Sequence, residues 1–194
     1  MEIFQMTETV TGLFDHYDDA ENAVRALETA GVNHSDISIV ANNENGRHAV
    51  GGAAAADASA GAEAGAAIGG VGGLLAGLGV LVLPGFGALV AAGWLGATLI
   101  GAISGAVVGG ATGGIVGALT DAGVPENDAH VYAEGVRRGG TLVTARVDDA
   151  QVAAARTILS ENRNVDVNQR GTAYRSEGWS RFDQDAGPYT PPQA

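Results

Sequence analysis

The N-terminal part of the chain alternates between short apolar runs and one amphipathic segment. Residues 8–15 predict a first strand, and residues 36–42 predict a second strand because every other side chain there is apolar. Between them, residues 18–30 carry alanine, valine and leucine at helical spacing, with Asp18 placed to cap the helix and Gly31 placed to end it. The order of elements in this part of the chain is therefore β-α-β.

A similar order returns in the C-terminal half. Pro125 suits the first turn of a short helix that Gly139 ends. Residues 141–147 predict a third strand, a longer helix follows to about residue 162, and residues 165–170 predict a fourth strand. Joined together, the two parts give the β-α-β-β-α-β order of a ferredoxin-like α+β sandwich.

Between these two parts lies an uncharged, glycine-rich stretch. Residues 64–120 contain no Asp, Glu, Lys, Arg or His, and glycine recurs there with a spacing of four. Pro84-Gly85 is a turn signal, so the spacing predicts two helices, over residues 54–82 and 88–120, that form an antiparallel hairpin. Glycine costs a helix about 1 kcal/mol per site relative to alanine. Close packing of the two backbones is the interaction that could offset this cost.

The glycines of the two predicted helices are in register. If the hairpin folds about Gly85, residue i faces residue 170 − i, and small residues meet along the whole seam. The seam winds around each helix, because a step of four residues overshoots one turn. We therefore expect further copies of the chain to cover it, so that the protein forms a homo-oligomer. The predicted seam comprises Gly61, Gly65, Gly69, Gly73, Gly77, Gly93, Ala97, Gly101, Gly105, Gly109, Gly113 and Gly117.

Bulky apolar side chains cluster toward the predicted turn. Helices of about 30 residues are roughly 45 Å long, which exceeds the hydrocarbon core of about 30 Å. The favoured hypothesis is a hairpin inserted in a membrane, with the lipid bilayer as partner and both termini cytoplasmic. The alternative is a soluble homo-oligomer, a shell or filament, whose hairpins share an apolar core. The predicted lipid contacts are Leu74, Leu75, Leu78, Leu81, Phe86, Leu89, Trp94, Leu95, Leu99 and Ile100.

The composition excludes several kinds of chemistry. The chain has no cysteine and no lysine, so disulfides, thiolate metal sites, P-loop phosphate binding and Schiff-base catalysis are excluded. Its four histidines lack metal-ligand spacing, and its glycines do not form a dinucleotide-binding motif. We expect no catalytic residue, no cofactor and no metal. A net charge of −12 argues against nucleic acid as a partner. No cleavable signal peptide is expected from the N-terminal residues.

Two segments resemble a known family. VTGLFDHYDDAENAVRALETAGVNHSDISIVANN, residues 10–43, resembles the start of bacterial heat-induced, general stress protein domains of the YflT type. GVPENDAHVYAEGVRRGGTLVTARVDD, residues 123–149, is similar to the second half of larger relatives that carry a glycine-rich hydrophobic insert. The resemblance covers roughly residues 8–170. It implies a small α/β domain tied to the stress response, and it offers no catalytic motif to carry over.

The predicted fold is an α+β, ferredoxin-like sandwich with a glycine-zipper α-helical hairpin inserted between strands two and three. The predicted function is a non-enzymatic, stress-associated protein that self-associates through this hairpin in the membrane, as a structural or membrane-stabilising scaffold. Another hypothesis is a small-ligand sensor with the hairpin as its output element. The boundaries are 8–50 and 122–171 for the two halves of the sandwich, 51–121 for the hairpin with its turn at 84–87, and 172–194 for an extended or mobile tail.

Overall fold

A computed structural model of the chain describes residues 7–43, 79–83, 85–103 and 114–190. Within these ranges the chain forms five strands, six α-helices and two short 3₁₀ helices. In chain order these are β1 Thr7–Phe14, α1 Tyr17–Thr29, the 3₁₀ helix His34–Asp36, β2 Ile37–Asn42, β3 Gly79–Leu83, β4 Gly87–Ala92, α2 Gly93–Ile103, α3 Gly114–Asp121, α4 Glu126–Arg137, β5 Thr141–Asp148, α5 Asp149–Glu161, α6 Val167–Ser176 and the 3₁₀ helix Gln184–Ala186.

The five strands form one sheet in the order β1-β5-β2-β4-β3. Every neighbouring pair is antiparallel. The predicted third strand, β5, lies between β1 and β2 and so connects the two parts of the chain that the glycine-rich stretch separates. The mixed α+β class is therefore confirmed.

Each face of the sheet carries its own apolar core. Helices α1 and α5 cover the first core, while α2, α3 and α4 cover the second. Side chains of a strand alternate between faces, so Phe14 belongs to the first core and its neighbour Leu13 to the second. The sheet contributes Ile37, Ile39, Val90, Val143 and Ala145 to the first core, and Val40, Leu81, Leu83, Leu89 and Leu142 to the second.

Gly79–Leu83 and Gly87–Ala92 are the two strands of a β-hairpin, so the two predicted helices are wrong over these residues. The register is nevertheless the one predicted for the helices, since residue i pairs with residue 170 − i and Leu81 lies opposite Leu89. The turn has a left-handed glycine, Gly85, with φ +82°. The Phe86 N–H donates to the Leu83 carbonyl at 3.2 Å.

The physical reason for this correction is a period of two. In β3, Leu81 and Leu83 are buried while Val80 and Val82 are exposed, which is the alternation of an edge strand with one covered face. Valine is β-branched and favours strands over helices. Helical structure resumes at Gly93 in α2 and at Gly114 in α3. The remaining residues of the predicted helices, 54–78 and 104–113, lie outside the described residues.

The predicted fourth strand at residues 165–170 is also wrong. Val165 makes one isolated antiparallel bridge to Leu13, and the chain then enters α6. Asp166 is the N-cap of this helix, and its side chain accepts a hydrogen bond from the Gln169 N–H at 2.8 Å. A well-capped helix start thus replaces the strand. Helix α6 continues to Ser176, so the tail predicted from residue 172 as extended or mobile begins later than expected.

The start of α1 differs from its predicted cap. The N-cap residue is His16, and no side-chain hydrogen bond caps the helix. Asp18 lies in the first turn instead, where its negative charge still favours the positive end of the helix. Asp19, one residue later, is buried and accepts a hydrogen bond from Arg163 at 2.8 Å.

Candidate functional site

The bulky apolar residues predicted to contact lipid belong to the second core where the structure describes them. Leu81, Phe86, Leu89, Leu95 and Leu99 are buried against the sheet and its helices. Trp94 is half-buried, with the Arg146 guanidinium 3.8 Å from its ring centroid. In the described ranges, no helix has both the length and the apolar character needed to cross a bilayer. Leu74, Leu75, Leu78 and the side chain of Ile100 lie outside the described residues.

The predicted glycine seam is described at four positions. Gly93 opens α2 with φ +80°, and a Cβ there would lie 2.0 Å from the Ile37 carbonyl oxygen. Glycine is therefore required where the chain leaves β4, and the Leu95 N–H donates to the Ser38 hydroxyl at 2.8 Å just beyond it. Ala97 is exposed, Gly101 lies in α2 and Gly117 lies in α3. The other seam glycines and Pro84 lie outside the described residues, so the seam stays a prediction.

The free edge of the hairpin is the most apolar exposed surface that the structure describes. Strand β3 ends the sheet, and Val80 and Val82 are 52% and 70% exposed. They are the exposed large apolar side chains among the described residues. Residues 79–92 carry no charged side chain to keep another strand away. An uncharged apolar edge with unpaired backbone groups is typical of a surface that pairs with another chain.

A buried carboxylate on α4 holds two arginines in a charged cluster. Glu134 of α4 is fully buried and accepts hydrogen bonds from Arg137 at 2.8 and 2.9 Å and from Arg138 at 2.6 Å. Arg138 also pairs with Glu177. Burial lowers the pKa of Arg138, but its hydrogen bonds to Glu134 and Glu177 outweigh burial and raise the pKa above its usual value. We call Glu134, Arg137, Arg138 and Glu177 the arginine cluster.

The C-terminal residues 179–189, here called the strap, pack onto this cluster and onto the hairpin. Arg137 donates to the Gly187 carbonyl at 3.2 Å, and the Arg138 guanidinium lies 4.7 Å from the Tyr189 ring centroid. Phe182 stacks on Phe86 with ring centroids 4.6 Å apart. The tail aromatics thus dock on their own chain. The sequence signal that could have indicated this is the pairing of two adjacent arginines with a tail rich in aromatic rings.

The strap also approaches the hairpin turn closely. A Cβ on Gly85 would lie 2.8 Å from the Gln184 carbonyl oxygen. Gly135 likewise allows a close approach between α4 and β1, since a Cβ there would lie 2.4 Å from a methyl carbon of Leu13. The YAEGVRRGG sequence is therefore explained by packing and anchoring: its glycine lets α4 approach β1, and its charged residues hold the strap.

A cavity of about 860 Å³ lies between the strap, α3 and α4. His130 lines it with a side chain that is 12% exposed, 3.4 Å from Arg181 and 3.7 Å from Glu126. Burial lowers the pKa of His130, and the Arg181 charge lowers it further. In the part of the chain that the structure describes, no three side chains of the metal-binding types converge. The cavity therefore places the His130 imidazole beside an arginine.

The architecture defines an α+β domain in which a β-hairpin extends the sheet and a C-terminal strap holds the hairpin. A family model described as the heat-induced stress protein YflT domain matches residues 9–83. The resemblance to the YflT-type stress protein family is thereby confirmed, and the matched region runs from β1 to the last residue of β3. No curated protein and no solved structure matches the chain.

Proposed function

We propose that the protein is a non-enzymatic, stress-associated protein that self-associates through the β3 edge and acts as a structural scaffold. The family match supports the association with stress. The observation that carries the self-association is the exposure of Val80 and Val82 on an uncharged edge strand. In water, the unpaired backbone groups of this edge can hydrogen-bond to solvent. The exposed valines, however, present apolar surface that a second chain would bury.

The sequence of β3 is nearly self-complementary. Its residues read Gly-Val-Leu-Val-Leu, so a two-fold axis at Leu81 places Val80 opposite Val82 of a second copy. Both valines lie on one face of the sheet, where cross-strand β-branched pairs stabilise an antiparallel ladder. The same two-fold axis aligns the buried leucine rows of the two copies. One patch then serves both protomers, as in the commonest class of homodimer.

The distribution of charge along the chain favours β3 as the place where two copies meet. The chain carries a net charge of −12, so most contacts between two copies bring acidic surfaces together. Residues 64–120 are uncharged, and β3 lies within that stretch. Pairing at β3 therefore brings the copies together where like-charge repulsion is smallest.

Between the two forms of self-association predicted from the sequence, the geometry favours an assembly with a shared apolar surface over a membrane-inserted hairpin. Leu81, Phe86, Leu89, Leu95 and Leu99 would have to leave the second core to contact lipid. Each buried leucine contributes about 1.5–3 kcal/mol by staying out of water, so this core opposes insertion of the hairpin tip.

We also infer that β1, β5 and β2 are three strands of a ferredoxin-like sandwich whose fourth strand is reduced to the Val165 bridge. The support is that β5 lies between β1 and β2 and that Val165 is antiparallel to β1 on its outer side. In this interpretation the β3–β4 hairpin belongs to the insertion between strands two and three, and it extends the sheet beyond β2.

The experiment is the measurement of mass by light scattering across a range of concentrations. We expect the wild-type mass to exceed one chain and to rise with concentration. Val82→Lys places a charge in the middle of the apolar edge, and we expect it to be monomeric. Ala154→Lys makes the same charge change on the exposed face of α5 and should behave as wild type.

A wild-type chain that is monomeric at all concentrations contradicts self-association. A Val82→Lys variant with the wild-type mass contradicts the β3 edge as the interface. Cell fractionation with an alkaline carbonate wash tests the alternative of a membrane-inserted hairpin. Retention of both the wild type and Val82→Lys in the washed membrane pellet supports insertion.

A further inference from the structure

The outer edge of β1 borders a groove. Strand β1 pairs with β5 along its whole length, and among the described residues its other edge is bridged by Val165 alone, opposite Leu13. Residues 7–11 of this edge line a groove of about 620 Å³ that runs between α4 and α5. We call it the edge groove. It occupies the position next to β1 that the predicted fourth strand does not fill.

Backbone groups of β1 face into the edge groove at alternate residues. The Leu13 carbonyl accepts the Val165 N–H at 2.7 Å, and the Thr11 carbonyl lies 3.5 Å from the Tyr132 hydroxyl, so the odd-numbered residues point away from β5. Thr9 has the same parity, and its N–H and carbonyl therefore face the edge groove. A strand placed there would continue the ladder that Val165 begins.

The side chains of the edge groove are hydroxylic and acidic. Thr7, Thr9 and Thr11 are on the strand, and the Thr11 hydroxyl oxygen is buried without a hydrogen-bond partner. Three carboxylates line the groove, those of Glu8, Asp128 and Asp149. One base, Arg156, also lines it and is paired with Glu8. The groove therefore carries a net negative charge.

We propose that the edge groove binds an extended, basic peptide segment of a partner protein by adding it as a strand to β1. Main-chain hydrogen bonds to Thr9 and Thr11 supply the affinity, as in other cases of strand addition. The carboxylates of Asp128 and Asp149 select lysine or arginine in the peptide. The β1 edge is bordered by helices α4 and α5 and by carboxylates, whereas the β3 edge is apolar and uncharged. The two edges therefore take different partners.

The test is fluorescence anisotropy of a fluorescein-labelled Lys-Thr-Val-Thr-Val-Thr-Lys peptide. It is titrated with the full chain, both as wild type and as Val82→Lys, which separates peptide binding from self-association at the other edge. We expect saturable binding in both. Replacing each lysine of the peptide by glutamate should weaken binding severalfold, because the acidic groove then repels it.

Two matched changes test the strand geometry itself. N-methylation of the central threonine of the peptide or Thr9→Pro in the protein removes one inter-strand hydrogen bond, and each should weaken binding about fivefold. Proline is tolerated on an edge strand where its nitrogen faces outward, and circular dichroism checks that Thr9→Pro is folded. Absence of saturable binding, or equal binding of the N-methylated peptide, overturns the proposal. If Thr9→Pro does not fold, the N-methylated peptide decides alone.

Discussion

The two edge strands of the sheet, β1 and β3, differ in their side chains and in what surrounds them. Both β1 and β3 have backbone groups that no neighbouring strand of the described chain satisfies. On β1 the edge is threonine-rich, lined by carboxylates and enclosed by helices. On β3 it is apolar and uncharged, with two exposed valines. Charge and cover block indiscriminate pairing at β1, while β3 has neither protection. We therefore expect β3 to pair with a second copy of the chain, and β1 to accept only a segment whose charge complements its carboxylates.

The largest expected loss of stability comes from removing Glu134, the buried carboxylate that holds the arginines on which the strap packs. Glu134→Ala removes the carboxylate that Arg137 and Arg138 share and leaves Arg138 with Glu177 alone. Removing one partner of a buried ion pair costs about 3–5 kcal/mol. Urea denaturation measures the loss. Hydrogen exchange should show that β3 and β4 lose more protection than β1, because the strap packs on the hairpin. Equal loss along the whole sheet contradicts this role of the strap.

The next largest loss of stability tests which backbone groups of β1 point to β5 and which point to the edge groove. Val10 lies opposite Ala145, and its N–H points to β5, so Val10→Pro removes a ladder hydrogen bond and should cost about 3 kcal/mol. Thr9→Pro, one residue away, should cost less than about 1 kcal/mol because its N–H faces the edge groove. Thermal or urea unfolding of the two variants compares them directly. Equal costs would show that the assigned directions are incorrect.

An alkaline titration tests the burial beside the edge groove. Burial raises the pKa of Tyr132 to about 12, with Asp128 and Asp166 adding to the shift. A raised folded-state pKa stabilises the fold below the unfolded value of about 10, and this contribution of roughly 2–3 kcal/mol is lost as the pH rises toward 12. Tyr132→Phe should show a smaller loss of stability between pH 9 and pH 11. Tyr17→Phe on the opposite face should also show a smaller loss, because burial raises the pKa of Tyr17 to about 12 as well.

The smallest effect on stability is expected at the β3 edge. Val82→Lys changes an exposed side chain, so the stability of one chain should shift by no more than about 0.5 kcal/mol. Leu81→Lys, at the neighbouring buried position, should prevent folding of the hairpin. Unfolding at low protein concentration, where any assembly is dissociated, gives both values. A large loss in Val82→Lys would indicate that this valine is buried within its own chain.

Local patterns predicted the elements that depend on local physics. The alternation in β2, the helix ended at Gly31 and the helix opened after Pro125 all have short-range causes, and the structure contains them. The glycine spacing of four predicts helices in place of the β-hairpin, because it extends much further along the chain than the Val-Leu alternation of only five residues. Its register was still correct, since the turn at Gly85 fixes the pairing for helices and strands alike.

The candidate sites depend on contacts between residues far apart in the chain. Nothing near Gly93 indicates that a Cβ would meet Ile37, and nothing near Phe182 indicates Phe86 as its partner. The Val165–Leu13 bridge likewise joins residues that are far apart in the chain. After this bridge, the Asp166 cap starts a helix instead of continuing a strand. Long-range packing of this kind is not encoded in any short window of sequence.

The position of β5 in the sheet has a consequence for synthesis. The strand that joins β1 to β2 is translated after both of them, roughly a hundred residues later than β2. At about 5–20 residues per second, a nascent chain carries two unjoined strands for several seconds or more. Such a high contact order also slows refolding. The chain is therefore most exposed to aggregation while it is being made, and a fragment ending at Leu83 lacks the strand that joins β1 to β2.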